Sequence, residues 1–359
     1  MSKIEKLLNI TVKEETDATN GASLSLSVYL VIICSVIISL GLFFGLLYVV
    51  DVDGYLQNNS QIINLYNFYD QKVGENGTAV YLLGSCAVGC PIYPPEVNRL
   101  IKMYYPNITV YNLYLANDIP LGRSVQLKNI IDSKPSLIIY GLMPRDIGAY
   151  YWDNDNFVLV HERLSLMDDS SYLYSKEQIM SISRKENIGY YKKFIQNAFR
   201  YKYSSGKNPY FALNYSYDPL GEEYRKYLSS KIDINQTIEN INNPNSKYRR
   251  ESEVSAEWTQ NKEALMYIVK KFKENDVPVI IVNMPINPLL SEQISNSSYS
   301  NYFSLINETN VTHYDLDGFG SPDDFFDEIH MTYDGALKFA PRMADLIIEQ
   351  VEKDVIHYT

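Results

Sequence analysis

The feature that most constrains this chain is an apolar run near its N-terminus. Residues 26–50 form 25 consecutive positions without a charged side chain. A helix rises about 1.5 Å per residue, so a run of this length reaches about 37 Å and can cross a hydrocarbon core of about 30 Å. A cleaved signal peptide has a shorter apolar core and a small-residue cleavage site, whereas this run ends VVDVDG. The sequence therefore predicts an uncleaved transmembrane anchor at 26–50.

The charges on either side of the anchor predict its orientation. Lys3, Lys6 and Lys13 precede it, and no Lys or Arg follows before Lys72. The positive-inside rule therefore places residues 1–25 in the cytoplasm as an N-terminal tail. We expect a single-pass protein of the cell membrane whose main domain is extracytoplasmic.

Short apolar runs alternate with amphipathic segments through most of the remaining chain. Such alternation indicates βαβ units and a parallel sheet. The runs predict strands at 79–83, 108–113, 136–141, 277–284 and 311–316, and the intervening segments predict helices at 94–104, 122–133, 253–274, 299–308 and 332–354. We expect an α/β three-layer sandwich with a five-stranded parallel sheet, built from residues 79–146 and 251–359.

Two segments fall outside this alternation. Residues 51–78 are predicted to be a juxtamembrane stalk with a short helical stretch. Residues 147–250 are rich in Tyr, Asn and Ser and are too long for an ordinary connection. We expect them to be a mostly helical insertion that leaves the carboxyl end of the third strand, where open α/β sheets bind ligands. It is either a lid or a decoration.

The stretch LGSCAVGCP at 83–91 follows the first predicted strand. A turn of small residues after a strand can expose a nucleophile, and here it carries Ser85, Cys86 and Cys90. Outside the cytoplasm the two cysteines can instead form a disulfide. The turn by itself leaves both interpretations open.

A second motif, DEIHMTYDG at 327–335, stands just before the last predicted helix. An Asp three residues before a His can hold one imidazole nitrogen while the other faces a cleft, which is how a catalytic base is fixed in one tautomer. Asp327 and His330 are therefore candidates for an orienting acid and a general base. Because the carboxyl ends of parallel strands share one edge, this motif and the Cys86 turn are expected to meet there.

Together the two motifs resemble those of the SGNH, or GDSL-type, hydrolase superfamily. That family has G-D-S after its first strand and D-x-x-H-x-x-x-x-G before its last helix, and this chain has G-S-C at 84–86 and the second motif at 327–335. With the anchor and the insertion, the chain looks closest to membrane-anchored members that serve cell-envelope O-acylation, such as accessory proteins of teichoic acid D-alanylation and alginate O-acetylation. The resemblance implies that Cys86 stands at the nucleophile position, with Ser85 as the alternative.

The chain departs from the family in the middle motifs. The second normally supplies an oxyanion-hole glycine, but no glycine follows the second strand before Gly122. The third normally supplies an asparagine two places after its glycine, and Met143 stands there. Asn112, Arg145 and Asp146 are the predicted side-chain contacts to an oxyanion or substrate.

The resemblance implies acyl transfer through a Cys86 thioester, with His330 as base and Asp327 as its orienting group. The expected activity is ester hydrolysis or O-acyl transfer on cell-envelope glycans, with a multispanning membrane O-acyltransferase as an expected partner. The alternative is a catalytically degenerate relative that binds a glycan or docks beside such a transferase.

Charge and motifs exclude other classes. The net charge of −11 and pI near 5.0 argue against nucleic acid, whose binding needs a basic face. The acidic residues between 315 and 327 match no calcium-loop spacing, and the glycine turn lacks the Lys of a phosphate-binding loop. We expect neither a metal nor a cofactor.

Overall fold

The computed structural model describes residues 26–50, 61–72, 77–115, 118–148, 234–243, 252–257 and 259–356, together with 220, 246, 249 and 250. The predicted tail 1–25 and most of the predicted insertion 147–250 lie outside the described residues. The chain divides into two units, Met1–Val50 and Asp51–Thr359.

The first unit contains helix α1, Leu26–Val50. Its segment Ser27–Gly45 has a mean hydropathy of 2.6, and its side chains are exposed within the unit. By length and composition α1 can cross a membrane. The cytoplasmic placement of its N-terminus stays a prediction.

The second unit is built around a five-stranded sheet in the order β2-β1-β3-β4-β5, with every described pairing parallel. The strands are β1 Thr78–Leu83, β2 Ile108–Asn112, β3 Leu137–Leu142, β4 Val279–Asn283 and β5 His313–Asp315. This is the flavodoxin-like strand order. The three central strands are almost wholly buried, which explains their continuous apolar runs.

Helices cover both faces of the sheet. In chain order they are α2 Gln61–Lys72, α3 Cys86–Gly89, α4 Pro94–Lys102, α5 Pro120–Ser124, α6 Leu127–Asp132, α7 Pro144–Gly148, α8 Ile234–Asn242, α9 Gln260–Glu274, α10 Pro288–Ser291, α11 Asn296–Glu308 and α12 Tyr333–Glu352. On one face Val80, Ile139 and Ile280 pack with residues of α4 and α12. On the other, Tyr81, Ile138 and Ile281 pack with residues of α2, α6, α9 and α11. The predicted α/β three-layer sandwich is confirmed.

Several predicted helix bounds differ from those observed. The helix predicted at 122–133 is two short helices, α5 and α6, which meet at Val125 and Gln126. The helix predicted at 253–274 begins only at Gln260, because the Thr259 side chain accepts a hydrogen bond from the Lys262 N–H and caps the helix there.

Helix α2 lies within the segment predicted as a stalk, yet it packs on the sheet. Leu65 and Tyr69 are fully buried. The Phe68 ring centroid lies 5.7 Å from that of Tyr81 on β1 and 5.0 Å from that of Tyr111 on β2. This helix is therefore part of one outer layer of the sandwich.

Candidate active site

Strand β1 ends in a tight turn at Gly84 that only glycine fits. Its φ is +144°, a conformation that side chains disfavour, and an added Cβ would lie 2.3 Å from the carbonyl oxygen of Gly141 at the end of β3. Ser85 then caps α3, because its Oγ accepts a hydrogen bond from the Ala87 N–H at 3.3 Å. Cys86, the first residue of α3, is therefore held at the carboxyl edge of the sheet, and the residue is 8% exposed.

The Asp327–His330 motif forms a compact loop at this edge. The His330 Nδ1–H donates to Asp327 Oδ2 at 2.6 Å. Asp327 Oδ1 accepts the backbone N–H groups of Ile329 and His330, at 2.9 and 2.8 Å. The ring of His330 also stacks on Phe326, with centroids 5.3 Å apart. The imidazole is thus held on one nitrogen and one face, and Nε2 stays available for proton transfer.

The backbone around this loop is also fixed. Phe326 N–H donates to the carbonyl of His330 at 2.9 Å, and Thr332 N–H donates to that of Asp324 at 2.7 Å. The Thr332 side chain then caps α12 by accepting the Gly335 N–H at 3.0 Å. The loop is therefore tied to the start of the last helix.

The pKa of His330 depends on nearby charges, one of which is on Cys86. Burial lowers the pKa of His330, but negative charge on Cys86 and the Asp327 carboxylate outweigh it and raise the pKa well above its usual range. For Asp327 burial raises the pKa, and the neighbouring His330 and its hydrogen bonds lower it overall. The carboxylate therefore stays ionised and favours a protonated imidazole beside Cys86.

The other two candidates on the turn are placed differently. Cys90 lies one helical turn beyond Cys86 and is 1% exposed. It forms no disulfide with Cys86 in this structure. Ser85 is also 1% exposed, and its Oγ donates to Asp146 Oδ2 at 3.4 Å. Charge on the thiol of Cys86, and on that of Cys90, acts on the imidazole.

Asn112, at the end of β2, supports the turn. Its Nδ2 donates to the backbone carbonyls of Val88, Gly89 and Ile92, at 3.5, 3.3 and 3.0 Å. The amide hydrogens are thus directed at the segment that follows Cys86. In this geometry Asn112 supports the segment that follows Cys86, and its contact with an oxyanion stays a prediction.

Arg145 and Asp146, predicted after the third strand, lie on α7. Both are buried, at 5% and 2% exposure. Asp146 Oδ2 accepts the Met143 N–H at 3.1 Å as well as the Ser85 hydroxyl. The carboxyl therefore joins the ends of two neighbouring strands, β3 and β1.

One buried ion pair beneath the turn was not predicted. Arg123 Nε donates to Asp118 Oδ2 at 2.6 Å, and its Nη2 donates to the carbonyls of Gly84 and Leu113 at 3.4 and 3.3 Å. Arg123 is fully buried, and Asp118 is 2% exposed. The sequence signal is faint: these two are the only charged residues between Lys102 and Lys128. The guanidinium thereby anchors the backbone that carries Cys86.

Replacing Arg123 with methionine is expected to lower the free energy of unfolding by about 3–5 kcal/mol, because it leaves the Asp118 carboxylate buried without its counter-charge. Urea unfolding of the full-length protein in detergent measures the loss. Arg99→Met is the matched control, since Arg99 pairs with Glu96 in an exposed position and should change little. The double variant Arg123→Met/Asp118→Leu should recover most of the loss. A single variant as stable as the parent would contradict the anchoring role.

Among the described residues, no group of three or more His, Cys, Asp or Glu side chains is arranged to hold a metal ion. The expectation that the protein works without metal or cofactor stays a prediction.

Comparisons with known proteins return distant similarities. A protein-family model matches residues 192–352, which is less than half of the chain. No curated protein matches it. Eighteen chains of solved structures match this chain.

Three of these solved structures show how low the sequence identity and the TM-score are. Protein YxiM from Bacillus subtilis is 11% identical with a TM-score of 0.36, and the match covers 79% of this chain and 58% of YxiM. A catalytic mutant of Axe2, an acetylxylan esterase from Geobacillus stearothermophilus, is 11% identical with a TM-score of 0.35, covering 77% of this chain and 95% of the esterase. BT4096, a gut microbial diltiazem-metabolizing enzyme, is 15% identical with a TM-score of 0.27, covering 77% and 46%. At such distances, what the site can do is decided by this chain's own side chains.

Proposed function

We propose that this chain is an SGNH-like acyl hydrolase or O-acyltransferase that works through a thioester on Cys86. The observation that carries the proposal is the 2.6 Å Asp327–His330 pair, whose imidazole pKa is raised by charge on Cys86. A thiol, an imidazole and an orienting carboxylate are the three groups that covalent acyl transfer needs. The positions of Cys86 just after β1 and of Asp327 and His330 in the loop between β5 and α12 support this proposal.

The proposed reaction has two halves. The Cys86 thiolate attacks the acyl carbonyl, the C–S bond forms and the carbonyl electron pair moves onto oxygen. Collapse of this intermediate breaks the ester C–O bond, and His330 protonates the departing alkoxide. His330 then takes a proton from water or an acceptor hydroxyl, whose oxygen attacks the thioester and releases Cys86. Asp327 keeps the imidazole in one tautomer throughout.

The anchor helix and the family resemblance support the finer part of the proposal. A helix that can span a membrane would keep the catalytic unit near the envelope. The acceptor we propose is the hydroxyl of a cell-envelope glycan, and the proposed partner is a multispanning membrane O-acyltransferase. The second unit carries the thiol, imidazole and carboxylate itself, which favours an enzyme over a purely binding protein.

Trapping the acyl-enzyme tests this function. Full-length protein in detergent is mixed with p-nitrophenyl acetate, quenched in acid, digested and analysed by mass spectrometry. We expect one acetyl group on the peptide that contains Cys86, removable by neutral hydroxylamine as a thioester is. His330→Gln should accumulate far less of it, and Cys90→Ala should accumulate as much as the parent.

Acetyl on Cys90 alone, or equal labelling in the His330→Gln variant, would contradict the proposed chemistry and favour a degenerate binding protein. A second stage offers acetylated glycan oligosaccharides as donors. Acetyl recovered on a second oligosaccharide indicates a transferase, and free acetate indicates a hydrolase.

A further inference from the structure

Asp146 occupies an unusual position for a carboxyl group. It lies on α7 just after β3, is 2% exposed, and adjoins the turn that carries Cys86. Both of its hydrogen bonds, from the Met143 N–H at 3.1 Å and from the Ser85 hydroxyl at 3.4 Å, end on Oδ2. Neither of them engages Oδ1. The carboxyl is therefore held through Oδ2, by a backbone N–H just after β3 and by a side-chain hydroxyl just after β1.

The charges around Asp146 decide its protonation. Burial raises its pKa, the neighbouring Arg145 lowers it, and negative charge on Cys86 and Asp118 raises it, so that it reaches about 8. Tyr302, fully buried on α11, also lies within electrostatic range of it. At neutral pH the group is thus mainly a carboxylic acid, which has an O–H to donate. An ionised carboxylate here would instead repel the charge on Cys86.

An acyl transferase site needs hydrogen-bond donors where negative charge develops on the substrate oxygen. The residue two places after Gly141 is Met143, which has no side-chain donor, and the amide hydrogens of Asn112 are directed at backbone carbonyls. Asp146 adjoins the turn that carries Cys86, because its Oδ2 accepts a hydrogen bond from the Ser85 hydroxyl. A buried, neutral carboxylic acid is an established kind of oxyanion donor.

We propose that Asp146 is the side-chain donor of the oxyanion hole, its carboxylic O–H directed at the oxygen of the acyl group under attack by Cys86. This inference rests on the proposed function. When the C–S bond forms, the carbonyl electron pair moves to oxygen and accepts this hydrogen bond. Collapse restores the carbonyl, and the proton remains on Asp146 throughout.

Two substitutions of Asp146 distinguish a hydrogen-bond donor to the oxyanion from a group that only supports the fold. Asp146→Asn keeps the shape and offers N–H donors, so its kcat/KM at pH 7 is expected within about tenfold of the parent. Asp146→Ala removes the donor and should lose about 10²–10³-fold. The parent's kcat/KM should fall as pH rises through about 8, where Asp146 ionises. In Asp146→Asn the alkaline fall should move to higher pH.

A stability measurement on the same variants checks the neutral carboxyl independently of turnover. The pKa of Asp146 is higher in the folded than in the unfolded state, so between about pH 4 and 8 the folded protein holds a proton that the unfolded chain has lost. The parent therefore loses stability as pH rises through this window. The Tm of Asp146→Asn minus that of the parent should grow more positive from pH 4 to pH 8.

The outcomes are distinguishable. Asp146→Asn as inactive as Asp146→Ala, in a parent that forms the Cys86 acyl-enzyme, would overturn the donor role and leave the proposed function intact. An unchanged alkaline fall in Asp146→Asn would do the same. A parent without any Cys86-dependent turnover would overturn the proposed function and the donor role together.

Discussion

Full-length protein carrying Cys86→Ala is expected to lose acyl transfer by about 10⁵–10⁶-fold in kcat, the scale on which removal of a nucleophile acts in enzymes with a catalytic triad. In the proposed reaction Cys86 contributes the atom that forms the covalent bond. Among the described residues, Cys90, the C-cap of α3, is the other thiol whose charge acts on the imidazole. Turnover of p-nitrophenyl acetate under saturating conditions measures the loss.

Cys90→Ala is the matched control for this change. It removes the thiol at the C-cap of the same short helix, at a position that is 1% exposed, and is expected to keep kcat within about tenfold because the proposed attacking sulfur remains. A large loss in Cys90→Ala with retention in Cys86→Ala would exchange the roles of the two cysteines.

Cys86→Ala is also expected to change the titration of His330. Charge on Cys86 is the largest influence that raises the pKa of His330. Cys86→Ala should therefore lower the His330 pKa, so that the imidazole loses its proton at lower pH than in the parent. Titration of the His330 ring signals by NMR follows this shift. An unchanged titration would mean that the thiol and the imidazole do not interact.

Asp327→Asn is expected to reduce kcat by about 10⁴-fold with little change in fold. The asparagine oxygen can still accept the backbone N–H groups of Ile329 and His330, so the loop is kept. Its amide nitrogen, however, cannot accept the proton on His330 Nδ1, and the imidazole turns to the wrong tautomer. Esterase kinetics measure the loss, and circular dichroism checks the fold.

Asp323→Asn controls for the loss of a carboxylate in this region. Asp323 stands in the same segment and is exposed. Its replacement is expected to leave kcat unchanged. If Asp327→Asn stays within tenfold of the parent while the fold is intact, His330 does not depend on Asp327 for its orientation.

The strands could be predicted because a strand that is buried on both faces is a short, nearly continuous apolar run in the sequence. Runs such as AVYLL and VPVIIVNM are almost entirely apolar, and each overlaps a strand of the parallel sheet. Helix ends were less predictable, because they depend on single caps. Thr259 starts α9 several residues later than the amphipathic pattern indicates.

Some residues of the candidate site could likewise be predicted from the sequence, and others could not. Cys86, Asp327 and His330 could be selected because they follow a strand or precede a helix in a parallel sheet, where such positions share one edge. The Arg123–Asp118 pair could not be selected from the sequence, because its role depends on hydrogen bonds from Arg123 to Gly84 and Leu113 that form only in the folded chain. The placement of the Asn112 amide is likewise a tertiary property.

The positions of Cys86 and His330 along the chain have a consequence for folding. The thiol follows β1, the first strand, while its imidazole lies between β5, the last, and α12. Contacts between such distant parts of a chain form slowly, because a large loop must close first. Under the proposed function, a nascent chain that has completed only the first three strands would thus carry the thiol without its general base. Turnover would then begin only after the segment that carries His330 has folded, so that the proposed activity would report complete folding.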